Sequence, residues 1–101
     1  NLCFDLDKLP YNTVIRAKRD GDTIKSFGGK TKKLKKYFGD KKIESRVSAG
    51  FPLIAEKDGN EVFAVCPIDI GDKIKIDNNT RNVAKIICTP NVRKTGEVLN
   101  A

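Results

Sequence analysis

The sequence has no histidine, no tryptophan and no methionine among its 101 residues. Without histidine, neither a Ser-His-Asp nor a Cys-His arrangement can be assembled, so no catalytic residue is assigned. Three cysteines, Cys3, Cys66 and Cys88, make an odd count without C-x-x-C spacing. They argue against a disulfide framework and, with no histidine to join them, against the usual structural zinc site. Cys66 and Cys88 read as small apolar core residues. No apolar run approaches the roughly 18–20 residues that cross a bilayer. The opening Asn-Leu-Cys-Phe-Asp lacks the basic and apolar regions of a signal peptide. A cytoplasmic setting without a membrane partner is therefore expected. The missing methionine suggests a piece of a longer protein.

What is present is positive charge, unevenly placed. The net charge is +7, and the segment Lys30–Arg46 carries eight Lys or Arg against Asp40 and Glu44. The remainder is close to neutral. A block of this kind points to a polyanionic partner more than to a small-molecule substrate. Hydrophobic residues at 39% and charged residues at 33% describe one small globular domain.

Apolar spacing outlines the elements. Leu2, Phe4 and Leu6 alternate as a short strand, followed by a connector through Pro10 and Asn12. A second strand runs from Thr13 to Lys18, with Val14, Arg16 and Lys18 on its exposed face, and Asp20-Gly21-Asp22 is a turn. Leu34, Tyr37 and Phe38 form one stripe of a short helix, with Thr31 as N-cap and Gly39 at C′. Two turns of helix do not persist alone in water, so the stripe must dock on a sheet and turn the lysines outward.

Further along, Pro52–Glu56 and Val62–Cys66 form a central hairpin around Lys57-Asp58-Gly59-Asn60. Ile68, Ile70, Ile74 and Ile76 alternate with polar residues around Gly71-Asp72, and Val83–Thr89 is a last strand stopped by Pro90. The fold class is α+β: one small β-rich sheet packed against one short basic helix, with a further helical turn near 45–50. Residues 1–12 read as a strand and connector from a preceding domain, 13–90 as the domain itself and 91–101 as a tail.

Three motif-like features favour bland readings. Gly28-Gly29-Lys30-Thr31 ends like a phosphate-binding loop, but Ile24 stands where the first glycine is needed. The glycines are expected to shape the entry to the helix. Asp5 with Asp7, and Asp20 with Asp22, read as exposed turn and strand aspartates. The repeated Gly-Asp-x-Ile-Lys at 21 and 71 reads as two unrelated turns. The helix start is different. Lys32 and Lys33 would lie in its first turn, where the macrodipole disfavours cations by roughly 0.3–1 kcal/mol each. Folding gives no reason to put them there, whereas a docked phosphate would. Arg16, Lys18 and Arg19 make a second basic cluster. If it adjoins the helix, the footprint is a groove. Nucleic acid is favoured over a membrane because the apolar stripe is narrow. A protein-interaction domain whose basic helix docks an acidic partner is the alternative.

Val14-Ile-Arg-Ala-Lys-Arg-Asp-Gly-Asp, then Gly28-Gly-Lys-Thr-Lys-Lys-Leu-Lys-Lys-Tyr-Phe-Gly-Asp-Lys-Lys-Ile, then Phe51-Pro-Leu-Ile carry a likeness. They resemble the C-terminal domain of bacterial tRNA(Ile)-lysidine synthetase over about residues 4–89. The family pattern runs R-x-R-x-x-G-D, then K-K-L-K-x-x-F-x-D-x-K-I, then P-L-L. By position Arg16, Lys18, Asp22, Lys32, Lys33, Lys35, Asp40 and Lys42 match. Glu44 replaces a usual proline, Ser48-Ala49 a usual Arg-Asp pair, and Lys36 a residue often acidic.

The resemblance implies an enzyme that uses ATP and lysine to convert the wobble cytidine of the CAU-anticodon isoleucine tRNA to lysidine. It implies a catalytic domain N-terminal to this chain, and no cofactor within it. The fold would be shared with a domain of the phenylalanyl-tRNA synthetase β chain. The chain itself would grip the acceptor-stem side of that tRNA. Together with the basic clusters, the candidate RNA-binding residues are Arg16, Lys18, Arg19, Lys30, Lys32, Lys33, Lys35, Lys36 and Lys42.

Overall fold

Two apolar faces, not one, organise the chain in the computed structural model, which describes residues 2–87. The strands are β1 (Leu2–Asp5), β2 (Thr13–Arg16), β3 (Thr23–Lys25), β4 (Thr31–Lys33), β5 (Leu53–Glu56), β6 (Glu61–Val65), β7 (Asp69–Ile70) and β8 (Val83–Ile86); the helices are α1 (Leu34–Asp40) and α2 (Ser45–Ser48). A mixed sheet has the order β2-β5-β6-β3-β4, with β7 also on β6. All its pairs are antiparallel except β3 with β6. No helix among the described residues is long and apolar enough to cross a membrane.

The β5–β6 hairpin is central, as its continuous apolar runs imply, because both of its faces are covered. On one side Leu53, Ala55, Val62 and Val65 meet Leu34, Tyr37 and Phe38 of α1. On the other, Ile54, Phe63, Ala64 and Cys66 pack with Phe4, Ile70 and Ile74. Strict alternation along β6 would put Phe63 and Ala64 on opposite faces. A register shift between Ile54 and Ala55, whose partners are Ala64 and Val62, absorbs the extra residue and turns both to the same side. Burying the Leu-Tyr-Phe stripe contributes about 1.5–3 kcal/mol per side chain, which holds a helix too short to persist alone.

Several expectations need correction. There are two sheets: β1 pairs along its whole length with β8, and its Phe4 is 5% exposed. It is the strand expected at the start of residues 1–12, and it packs on this domain's second core. Leu6 does not continue the strand; it opens a 3-10 turn and is exposed. β2 stops at Arg16, two residues early. The lysine-rich approach to the helix is strand β4 in a hairpin with β3, so Gly28 (φ +63) and Gly29 shape a hairpin turn, not a helix entry. The Ile68–Ile76 stretch gives only the two-residue β7 and a 3-10 turn, Asp72–Ile74, with Ile70 and Ile74 buried in the second core. Asp5 and Asp22 are buried: Asp5 accepts from the Asp7 N–H at 3.0 Å and the Thr80 hydroxyl at 2.9 Å. Cys66 is buried as read. Cys88, the end of the last strand at Thr89, Pro90 and the 91–101 tail lie outside the described residues.

The turn between β2 and β3 is built around one buried ion pair. All five donors of the Arg16 guanidinium are used. Two reach Asp22, Nη1 to Oδ2 and Nη2 to Oδ1, each at 2.9 Å; the others reach the carbonyls of Glu56 (2.9 Å), Ala17 (3.0 Å) and Gly59 (3.1 Å). The Asp22 side chain is fully buried and also accepts from the Arg19 N–H at 2.8 Å and Asn60 Nδ2 at 3.1 Å. Burial pushes its carboxyl up. The hydrogen bonds from Arg16, Arg19 and Asn60 outweigh that and hold it below the usual carboxylate range.

The C-terminus of α1 is a Schellman motif. Lys42 donates to the Gly39 carbonyl at 3.0 Å and Ile43 to that of Phe38 at 2.9 Å, with Ile43 packed on the first core. The C′ position is therefore Lys42, at φ +59, and not Gly39, which lies inside the helix.

Two stability predictions follow from these features. Breaking the pair with Asp22→Ala should cost about 3–5 kcal/mol, because it strands a buried guanidinium. Asp22 is more acidic folded than unfolded, so its contribution is complete above the unfolded value near ~4 and is lost as pH falls through the lower folded value. Urea melts of the parent and variant should converge on acidification through that window; parallel curves would refute the pair's role. Lys42→Gly should instead raise stability by about 0.5–1 kcal/mol, since a left-handed lysine costs more than glycine's extra freedom in the unfolded chain. A urea midpoint that stays or falls would show Lys42 to be unstrained.

Candidate nucleic-acid interface

The two basic clusters of the sequence meet. A cleft of about 910 Å³ opens between the β2–β3 turn, the outer side of α1 and α2. Its rim carries Lys18 and Arg19 from one wall and Lys33, Lys35 and Lys36 from the other, over Leu34, Phe38 and Ile43. The apolar stripe fixes this arrangement locally. With Leu34, Tyr37 and Phe38 buried, residues 35 and 36 are on the helix's outer surface and both are exposed.

The lysines differ in how free they are. Among the described residues, Lys30, Lys33, Lys35 and Lys42 have no acidic partner. Lys36 stands 3.6 Å from Asp40 but keeps 68% of its side chain exposed. Lys18 is held: its ammonium donates to Ser48 Oγ at 2.7 Å, Ser45 Oγ at 3.2 Å and the Ser45 carbonyl at 3.3 Å, and sits 5.7 Å from the Phe38 ring centroid. No carboxylate neutralises it there, so it gives the cleft charge while clamping α2. Arg19 donates to the Lys57 carbonyl, which leaves most of its guanidinium available.

Four candidates lie away from the cleft. Arg16, expected on an exposed strand face, is turned inward onto Asp22 with its side chain only 9% exposed. No donor remains for a phosphate. Lys32 is not in the first turn of a helix. It sits in β4 opposite Ile24, and its ammonium reaches Asp40 at 3.1 Å, which lowers the pKa of that carboxyl. Lys30 and Lys42 are exposed but do not line the cleft.

Nor is the helix start an open anion site. Lys33 occupies the N-cap without a side-chain bond, and the Leu34 N–H already donates to the Asp22 carbonyl at 2.8 Å.

Sequence reasoning missed Ser45 and Ser48. They form the far wall and take the Lys18 ammonium, in the stretch where the expected Arg-Asp pair is replaced. A clue existed: Arg16 and Asp22 share one motif, as do Lys32 and Asp40. Residues of opposite charge at fixed spacing are candidates for pairing with each other before any partner. Among the described residues there is no cluster of three or more metal-ligating side chains.

Comparison with known proteins agrees with the resemblance read from the sequence. The chain is 39% identical over 84 residues to the tRNA(Ile)-lysidine synthase of Clostridium tetani, a match that takes in 82% of this chain. The corresponding enzyme of Caldanaerobacter subterraneus subsp. tengcongensis is 37% identical over 84 residues, and that of Clostridioides difficile 39% over 83, again across 82% of the chain. The chain spans about 17–18% of the length of these curated relatives. No family model and no solved structure matches it.

Proposed function

We propose, from a chain that matches a fraction of the tRNA(Ile)-lysidine synthases, that it is their accessory tRNA-gripping domain, C-terminal in a cytoplasmic ligase. The observation that carries this reading is the cleft, where basic residues distant in sequence converge and two of its lysines, Lys33 and Lys35, make no ion pair among the described residues. A tRNA backbone is the partner that such a surface fits, because phosphates repeat along it at a spacing one ammonium cannot satisfy. Contact would be to phosphate and shape, with little reading of base edges. The acceptor-stem side of the isoleucine tRNA with a CAU anticodon is the part assigned to it.

The chemistry belongs elsewhere in this reading. ATP and lysine would be used by an N-terminal catalytic domain of the parent protein, and the present chain would hold no cofactor. Of the residues read from the sequence, Lys33, Lys35, Lys36, Lys18 and Arg19 form the main contact. Lys30 and Lys42 are peripheral, and Arg16 and Lys32 support the scaffold. Residues 13–90 form the tRNA-binding unit, with β1 bracing its second sheet. The fold shared with the phenylalanyl-tRNA synthetase β chain is part of the same proposal.

The test is binding of the 101-residue chain to isoleucine tRNA across a salt series. Affinity should fall steeply with salt, by roughly 0.7–0.9 decade per decade of salt for each phosphate contacted. Lys33→Glu with Lys35→Glu should remove most binding and flatten that slope by about two. Arg81→Glu with Lys85→Glu, an equal charge change beside β8, should have a small effect. Equal losses from both double variants would mean that net charge, not the cleft, drives binding. Binding to heparin as tight as to tRNA would favour a generic acidic partner.

A further inference from the structure

The tip of the β3–β4 hairpin, away from the cleft, carries Phe27 with 60% of its surface exposed. A phenylalanine left in water forgoes the gain of burial. Yet the tip is held in place. Gly28, at φ +63, makes the reversal, and the Gly29 N–H closes it on the Ser26 carbonyl at 2.9 Å. The Gly28 N–H donates to Asp72 Oδ1 at 3.1 Å, which ties the tip to the 3-10 turn. The same carboxylate takes the Lys75 ammonium at 3.0 Å and lies 3.6 Å from that of Lys25. Lys75 and the Gly28 N–H hold its pKa down to about 2, so the anchor stays ionised.

The ring's surroundings are cationic. The Lys75 ammonium is 6.0 Å from its centroid. Lys30, three residues on, is exposed and has no acidic partner among the described residues. A protein docking through an apolar face would have to desolvate these ammoniums. An unpaired nucleotide would not, since its base stacks on an aromatic face while its phosphate takes the neighbouring charges.

We propose that Phe27 is a stacking platform for one unpaired RNA nucleotide, with the unpaired Lys30 placed to meet its phosphate. The choice of RNA rests on the tRNA reading above, but the site is separate from the cleft. It gives a role to Lys30, which the cleft does not use.

The chain contains no tryptophan, so Phe27→Trp introduces a single indole at the tip. Its fluorescence should be quenched by a single-stranded RNA oligonucleotide, and by an RNA duplex with an unpaired overhang more than by the blunt duplex. Phe27→Ala should weaken binding of the overhang duplex by about 5- to 100-fold, leave the blunt duplex unchanged and keep the salt slope, because stacking releases no counterion. An unchanged urea midpoint for Phe27→Ala would confirm that the loss is not one of folding.

The two sites fail separately. Loss of tRNA binding in Lys33→Glu with Lys35→Glu, without any quenching at position 27, would overturn the platform and keep the cleft. Quenching that persists in that double variant while tRNA affinity stays at the parent level would keep the platform and overturn the cleft. Equal affinity of the parent and Phe27→Ala for every RNA would overturn the platform and leave the tip as a protein contact.

Discussion

The Arg16–Asp22 pair is the interaction on which the working surface depends. It joins the end of β2 to the β5–β6 turn through the Glu56 and Gly59 carbonyls, and the Asp22 main-chain carbonyl receives the first N–H of α1. One wall of the cleft and the start of the helix that forms the other are thus set by the same residue. A buried ion pair of this kind contributes little net stability against an apolar pair of equal volume. Its value is geometric, because a planar guanidinium with five committed donors admits one arrangement of the loops around it.

That arrangement separates structural charge from available charge. Arg16 is spent internally, Lys32 is bound to Asp40, and Lys18 is drawn onto the α2 serines. What remains at the cleft is Lys33, Lys35, much of Lys36 and most of Arg19, with Lys18 still adding its charge. A segment that reads as uniformly basic is therefore sorted by the fold into paired and unpaired cations. The flank of α1 also places its charges side by side.

Much of the architecture was legible in the residues. The Leu34-Tyr37-Phe38 stripe gave the helix and its docking, since 3.6-residue periodicity over an apolar triplet has one packing solution. The β5–β6 hairpin and the helical turn at α2 were visible for similar reasons. The strands β3 and β4 were not, because between them they offer one apolar residue, the buried Ile24, and are held by ladder bonds and a parallel pairing with β6 that no local pattern encodes. The C′ position was misplaced because Lys42 adopts a conformation usually left to glycine.

By itself, the sequence determined that the chain is a small α+β unit with its charge gathered in one segment, and its motif spacing determined which relatives it matches. Those are properties of composition and local order. Only the tertiary structure decided which cations are free, that Lys18 and Arg19 share a cleft with Lys33, Lys35 and Lys36, and that Phe27 stands exposed on a braced turn. The reason is physical. A lysine's availability depends on the carboxylates and carbonyls that folding brings within about 4 Å of it, and those partners lie up to sixty-nine residues away along the chain.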